Sequence, residues 1–364
     1  MIRIPVTTAS RSYDVLIGSG LVARAGETLA SLLAGKRAFV VTVPPVRKRW
    51  ANELLQSLKA AGIEAKLLEM PDGERAKRLV TLEKLAEKLL ALGADRGSTL
   101  IALGGGVVGD VTGFLASIYM RGVDVVQIPT TVLAQVDAAI GGKTGVNLLS
   151  GKNLLGTFHQ PRAVLADPDV LKTLPAREYR AGLYEGLKCG IIGDAGLFRL
   201  FEEKHKELLA REPEVIEKVI ADSARLKASV VSADEREGGM RQVLNLGHTI
   251  GHALEAETGY KLLLHGEAVG WGLLAATHIA LSTGKLDSVT AGRIMNAVLV
   301  LGELPRMDVK TANILKRLKV DKKTRQGVVH FILPREIGKV EITGEVGETA
   351  VRGAVEEIRK LARK

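Results

Sequence analysis

Across residues 36–131, short apolar runs alternate with longer segments of helical periodicity, and this order constrains the fold more than any other feature of the chain. KRAFVVTVP (36–44), IEAKLLEM (63–70), STLIALGGG (98–106) and VDVVQIPTT (123–131) read as strands. RKRWANELLQSLKAAG (47–62), GERAKRLVTLEKLAEKLLALG (73–93) and VVGDVTGFLASIYMRG (107–122) read as the helices between them. Strands joined through helices pair in parallel, because each crossover returns the chain to the same end of the sheet. An α/β, Rossmann-like N-terminal domain is therefore expected over 1–176. Beyond it the strand signals fade. PEVIEKVIADSARLKASVVSADE (213–235) is one long helical pattern, and only VVHFILP (328–334) and KVEIT (339–343) look extended. A mainly α-helical C-terminal domain is expected over 177–364.

Composition narrows the function classes. The 364 residues suffice for two domains, and 46% hydrophobic content supplies their cores. No apolar run approaches the roughly 20 residues of a membrane span. The start, MIRIPVTTASRSYDVLIGSG, lacks the apolar core of a signal peptide. The single cysteine, Cys189, permits no internal disulfide and fits a reducing cytoplasm. A net charge of +10 raises the question of nucleic acid. Aromatics are only 4%, however, and the basic residues are interleaved with acids, as in KRLVTLEKLAEKLLALG. No helix-turn-helix, zinc-finger or RNA-binding signature is present, so neither a nucleic-acid nor a membrane partner is expected. The surplus of Lys and Arg suits a solvated surface and an anionic small-molecule substrate.

Two glycine clusters are candidate phosphate cradles. GGGVVGD (104–110) follows a strand, opens a helix and satisfies G-x-G-x-x-G through Gly104, Gly106 and Gly109. Glycine admits a pyrophosphate close to the backbone, and a helix N-terminus offers free N–H groups. A tight strand-to-helix turn also favours glycine, and this cluster follows the third strand of the series rather than the first. AAIGGKTGVNLLSGKNLLG (138–156) tempts towards a P-loop ending at Gly142, Lys143 and Thr144, but the required first glycine is Asp137, and the motif fails. What remains reads as a flexible glycine-rich segment carrying Lys143 and Lys152, either solvated or aimed at anionic groups.

Three of the seven histidines gather late in the chain. RQVLNLGHTIGHALE (241–255) reads as a helix, which puts His248 and His252 on one face, one turn apart. His265 follows in LLLHGEAVGWG. The pattern is close to H-E-x-x-H, but Thr249 stands where a zinc protease needs its glutamate. Any one of these histidines alone would be an ordinary packed residue. Together they suit a metal site, which also calls for a carboxylate. Glu185, in the apolar REYRAGLYEGLKCGII, is the candidate, since an unpaired carboxylate there would be costly.

The motifs then converge. PDGE (71–74), GGGVVGD, MRGVD (120–124), IPTTVLAQVDAAIGGKTGVN (128–147), GKNLLGTFHQP (151–161), AGLYEGLK (181–188), DEREGG (234–239) with the histidine segment, LHGEAVGWG (264–272) and VDKK (320–323) occur in one order. In these blocks the chain resembles the 3-dehydroquinate synthase family, a branch of the sugar-phosphate cyclases, from about residue 10 to 340. The resemblance implies an enzyme that binds NAD and one divalent metal, Zn2+ or Co2+, and works as a homodimer. It implies metal ligands Glu185, His248 and His265, with His252 left for substrate or proton handling. It implies NAD contacts at Asp72, Gly73, Glu74, Lys77, Gly106, Val107, Val108, Gly109, Asp110, Thr130, Thr131, Lys143, Lys152, Val170, Leu171, Lys172 and Thr173. It implies substrate contacts at Arg121, Asp137, Lys143, Asn153, Lys188, Lys227, Arg241, Asn245, His252 and Lys322, with Lys323 the neighbour that could exchange places with Lys322. Leu246 and Ile250 stand where the family often has Phe, and Cys189 where an aromatic is common.

The implied substrate is 3-deoxy-D-arabino-heptulosonate 7-phosphate, whose carboxylate and phosphate suit a site rich in Lys and Arg. Two enzyme rivals share the scaffold: a cyclase of another sugar phosphate, of the 2-epi-5-epi-valiolone or 2-deoxy-scyllo-inosose type, and a metal-dependent polyol dehydrogenase. Arg241 and Asn245, placed to face a carboxylate, favour the heptulosonate. A nucleic-acid-binding protein is the reading from a different class, resting on charge alone.

Overall fold

The alternating runs of the first half assemble one parallel sheet, as expected. The computed structural model describes residues 1–33, 35, 37–149, 151–320, 324–325 and 328–363. Lys322 and Lys323 lie outside the described residues. The chain divides into two units, Met1–Leu174 with Lys227–Arg236, and Pro175–Leu226 with Glu237–Lys364.

The first unit contains β1 (Ile2–Thr7), β2 (Ser12–Ile17), α1 (Ala25–Leu33), β3 (Ala38–Thr42), α2 (Asn52–Ala60), β4 (Ala65–Glu69), α3 (Leu79–Ala91), β5 (Thr99–Gly104), α4 (Gly106–Ile118), β6 (Asp124–Pro129), β7 (Lys143–Leu148), β8 (Gly151–Phe158) and β9 (Ala163–Ala166). Seven strands form the order β1-β2-β9-β6-β5-β3-β4. Only β1 is antiparallel to its neighbour. β3 and β5 are buried at every residue, which is why they read as unbroken apolar runs rather than as alternations. Phe39, Val41, Leu85, Leu89, Leu100, Val111 and Leu115 meet in a single core. From β3 the chain steps outward to β4, then reverses across β3 to β5, β6 and β9. Such a reversal opens a crevice at the carboxyl ends of the strands, where open α/β sheets bind ligands.

Two local expectations are corrected. The helix expected over 73–93 begins only at Leu79. Gly73 has φ +87, Glu74–Ala76 is a single 3-10 turn, and Arg78 is extended. Tertiary bonds hold that break: the Lys77 carbonyl accepts from the Asn147 N–H at 2.8 Å. The segment 138–156, read as flexible, is mostly an ordered hairpin of β7 and β8. A Cβ at Gly156 would lie 1.9 Å from the Thr144 carbonyl oxygen, so glycine here serves close strand approach.

The second unit is mainly helical: α5 (Ala176–Gly193), α6 (Ala195–Glu203), α7 (Pro213–Ala233, counted with the first unit from Lys227), α8 (His248–Glu257), α9 (His265–Ser282), α10 (Ser288–Leu299), α11 (Thr311–Val320) and α12 (Glu348–Leu361). β10 (Phe331–Glu336) and β11 (Lys339–Thr343) form the extended piece. Among the described residues no helix is long and apolar enough to cross a membrane. Glycine sets how closely α5, α8 and α9 pack. A Cβ at Gly266 would lie 1.8 Å from the Ala181 carbonyl, and one at Gly251 2.9 Å from the Ala268 carbonyl. These backbone-to-backbone crossings fall beside His265 and between His248 and His252.

Candidate functional site

In the second unit the packed helices bring Glu185, His248 and His265 together. The helix expected across 241–255 is broken: Met240–Asn245 is a 3-10 turn, Gly247 has φ +80, and α8 starts at His248 itself. The break lets the His248 ring turn back, so that its Nδ1 lies 3.1 Å from the Leu246 carbonyl oxygen. A carbonyl only accepts, so Nδ1 carries the proton and Nε2 presents its lone pair. His265, the first residue of α9, has Nδ1 3.3 Å from Glu255 Oε2, which fixes the same tautomer. Both Nε2 atoms then point at one carboxylate oxygen: Glu185 Oε1 lies 3.6 Å from that of His248 and 3.4 Å from that of His265.

These separations fit a bound cation. Tetrahedral ligands at 2.0–2.1 Å from zinc stand about 3.3 Å apart. Glu185 is 1% exposed, and the equally buried Lys188 ammonium forms an ion pair with its second oxygen. Burial alone would lower the His265 pKa, but the hydrogen bonds to Glu185 and Glu255 outweigh it and raise the value to about 10. The site therefore attracts positive charge, as a proton or as a metal. His252 joins the cluster, its ring 5.3 Å from that of His248 and 5.8 Å from that of His265. All three histidines have ring nitrogens within 4.8 Å of one another, and His248 and His265 share the Glu185 oxygen at ligand spacing.

Two of the residues expected to contact the anionic substrate sit in the same unit. Arg241 is 1% exposed, within the 3-10 turn that precedes the break. Asn245 ends that turn, its Nδ2 donating to Glu237 Oε1 at 2.7 Å. Sequence reasoning passed over both Glu237 and Glu255. Glu255 is seven residues from His248 and three from His252, a spacing that puts all three on one helical face and could have revealed it.

In the first unit the residues expected to contact NAD cluster at strand carboxyl ends. Asp72–Lys77 follow β4, Gly106–Asp110 follow β5, Thr130 and Thr131 follow β6, and Val170–Thr173 follow β9. At the start of α4, the amides of Gly106, Val107 and Val108 precede the first intrahelical bond, which runs from the Gly109 N–H to the Gly105 carbonyl. The glycines also serve packing. A Cβ at Gly109 would lie 2.8 Å from Gln127 Oε1, and one at Gly105 3.0 Å from Thr131 Cγ2. Lys77 Nζ donates to Asp110 and to Asn153, and Glu74 accepts from Asn147 and lies 3.8 Å from Lys152. Burial raises the Asp110 carboxyl above the usual carboxylate range, against the pull of Lys77. The side chains of Val108, Val170 and Leu171 are in the core, so these residues can offer a ligand only their backbone.

The remaining expected residues of this unit divide. Lys227 reaches back to Asp137, donating at 2.7 Å to both its carboxylate and its carbonyl oxygen. Asn153 adopts φ +54 and donates its backbone N–H to Asn147 Oδ1. Arg121 is exposed, in the left-handed region at φ +71. Lys143 is exposed at the start of β7, and Lys172 pairs with Asp169 at 2.6 Å. Thr173 donates its hydroxyl to the Val170 carbonyl.

The chain is similar to known proteins along its whole length. Residues 67–181 match the family model "3-dehydroquinate synthase N-terminal", and 182–324 match "3-dehydroquinate synthase C-terminal". A 3-dehydroquinate synthase of Koribacter versatilis is 56% identical over 363 residues, covering 100% of this chain and 99% of the relative. Among solved structures, 2-epi-5-epi-valiolone synthase from Streptomyces hygroscopicus, with NAD+ and Zn2+ bound, superposes with a TM-score of 0.89 at 30% identity, covering 98% of this chain and 99% of that one. A 2-deoxy-scyllo-inosose synthase complexed with carbaglucose-6-phosphate, NAD+ and Co2+ gives 0.87 at 26% identity, covering 99% and 100%.

Proposed function

The chain belongs to the 3-dehydroquinate synthase family, and on that premise we propose that it converts 3-deoxy-D-arabino-heptulosonate 7-phosphate to 3-dehydroquinate and inorganic phosphate. This carbon–oxygen lyase step serves the shikimate route to chorismate and the aromatic amino acids. The observation that carries the proposal is the convergence of the His248 and His265 Nε2 atoms on one oxygen of Glu185. The two cyclases described with NAD+ and Zn2+ or Co2+ support the same pair of cofactors here.

Glu185, His248 and His265 would hold the divalent metal. The backbone amides opening α4 would hold the NAD pyrophosphate, with Asp72, Gly73, Glu74, Lys77, Asp110, Thr130, Thr131, Lys143, Lys152 and the 170–173 turn around the rest of the cofactor. When bound, NAD supplies transient removal and return of a hydride at one carbinol carbon, and the metal supplies Lewis acidity there. The chain's own residues bind and orient. Lys188, Arg241 and Lys227 offer fixed positive charge to the two anionic ends of the substrate. Asn245 and Asn153 add neutral donors, and Arg121 and Lys322 are assigned to the same substrate. Asp137 holds Lys227 in place. His252, half-buried beside the two histidine ligands, can carry a proton next to the substrate. The product retains no net oxidation, so NAD is not consumed.

The protein is further proposed to act as a homodimer in the cytoplasm, with its domain boundary in the sequence near residue 176. A panel of the heptulosonate phosphate, sedoheptulose 7-phosphate and glucose 6-phosphate tests the substrate assignment. Turnover confined to the first supports it. Turnover of either sugar phosphate that lacks the carboxylate in preference would transfer the assignment to another cyclase.

A further inference from the structure

The carboxylate of Glu255 reaches His265 from the side away from Glu185. It stands on α8 on the same face as His248 and His252, and its side chain is 2% exposed. Its Oε2 lies 3.3 Å from His265 Nδ1, while His265 Nε2 faces Glu185 Oε1 at 3.4 Å. The imidazole is thus held between two carboxylates, one at each nitrogen. Burying a carboxylate costs several kcal/mol unless a polar partner offsets it. A group kept there at such cost is doing something that a leucine would not.

We infer that Glu255 is a positioning residue that fixes the tautomer and ring orientation of His265, and so sets how tightly this protein holds its metal. The inference rests on the assignment of Glu185, His248 and His265 as metal ligands and adds a fourth residue behind them. The physical need is specific to His265. His248 has its Nδ1 proton taken by a carbonyl of its own backbone, two residues away. His265 begins a helix, has a third of its side chain exposed, and takes its Nδ1 acceptor from a different helix. Removing that acceptor frees the ring to rotate and to move its proton to Nε2, which would block the metal. Partners of this kind typically contribute 10–100-fold in metal affinity.

The test measures Zn2+ binding by competition with a chromophoric chelator, and the visible spectrum of the Co2+-loaded protein. Wild type, E255A, E255Q and H265A are compared, and circular dichroism and thermal melting confirm that each is folded. Wild type is expected to bind one ion per chain and H265A to lose it. E255A should bind one ion about 10–100-fold more weakly, with altered Co2+ bands. E255Q keeps the volume and an accepting oxygen, so it should fold if E255A does not and should fall between E255A and wild type. If folded E255A or E255Q matches wild type in both affinity and spectrum while H265A loses the ion, the role of Glu255 is overturned and the ligand assignment survives. If H265A still binds as wild type does, the ligand assignment fails and the role of Glu255 falls with it.

Discussion

His248 Nδ1 lies 3.1 Å from the carbonyl oxygen of Leu246, across a single glycine held at φ +80. That one contact decides which ring nitrogen faces Glu185. It exists because the 3-10 turn and α8 do not merge into one helix. Gly247 is therefore the hinge of this histidine cluster rather than a spacer.

Gly247→Ala tests this. A left-handed alanine costs about 1–2 kcal/mol. The new Cβ would also press within 3.1 Å of Leu273 N and of the Val269 carbonyl oxygen. The variant should melt several degrees lower and bind Zn2+ more weakly, read by thermal melting and by metal titration. Wild-type values in both would show that the break is incidental.

Lys227 belongs to a long helix of the second half, yet its ammonium donates to Asp137. Loss of a hydrogen bond from a charged group is worth roughly 1.5–3 kcal/mol. Lys227→Ala is thus expected to raise KM for the anionic substrate by about 10–100-fold, with metal content unchanged. Steady-state kinetics with atomic absorption would read both. An unchanged KM removes Lys227 from substrate binding.

Gly109→Ala probes the start of α4. Its Cβ would meet Gln127 Oε1 at 2.8 Å, so either the side chain or the helix must shift. NAD affinity, read by fluorescence quenching or calorimetry, should fall while Zn2+ affinity holds. A parallel loss of both would mean general unfolding rather than a cofactor effect.

His159 gives a pH signature independent of the site. Its Nε2 donates to the Val123 carbonyl at 2.9 Å, and burial lowers its pKa below the ordinary value. The unfolded chain then binds the proton more readily than the folded one. Its contribution is present above about pH 6.5 and is lost as pH falls below that value towards the lower folded pKa. Urea titrations between pH 5 and 8 should show this loss in wild type and a shallower one in His159→Gln. Equal slopes in the two proteins would remove His159 as the source.

Much of this was legible in the sequence. β3, β5 and β6 are long apolar runs because both of their faces are covered, and the helices between them are amphipathic enough to read directly. Glu185 stood out as a charge among glycines and apolar residues. Other features depended on contacts that no local pattern encodes. The late start of α3 follows from bonds made by Lys77 to residues of α4 and of the β7–β8 hairpin. That hairpin passed for a loop because its glycines serve strand approach. The break before α8 hangs on one left-handed glycine inside an otherwise helical pattern. Lys227–Arg236 joins the first unit through tertiary bonds such as that of Gln160 Nε2 to Glu235. Glu255 is not marked out by its sequence: a glutamate one turn beyond two histidines fits a solvated helix face as readily as a buried partner of His265.

Release of phosphate from the heptulosonate phosphate should need both a metal and NAD and consume neither. The most direct measurement is phosphate release with catalytic NAD and Zn2+, followed together with absorbance at the NADH band, before and after chelation. Release should give 3-dehydroquinate as product with no lasting NADH signal, and activity should be lost on chelation and return when Zn2+ is restored. Stoichiometric NADH without phosphate would contradict it and point to a polyol dehydrogenase on the same scaffold.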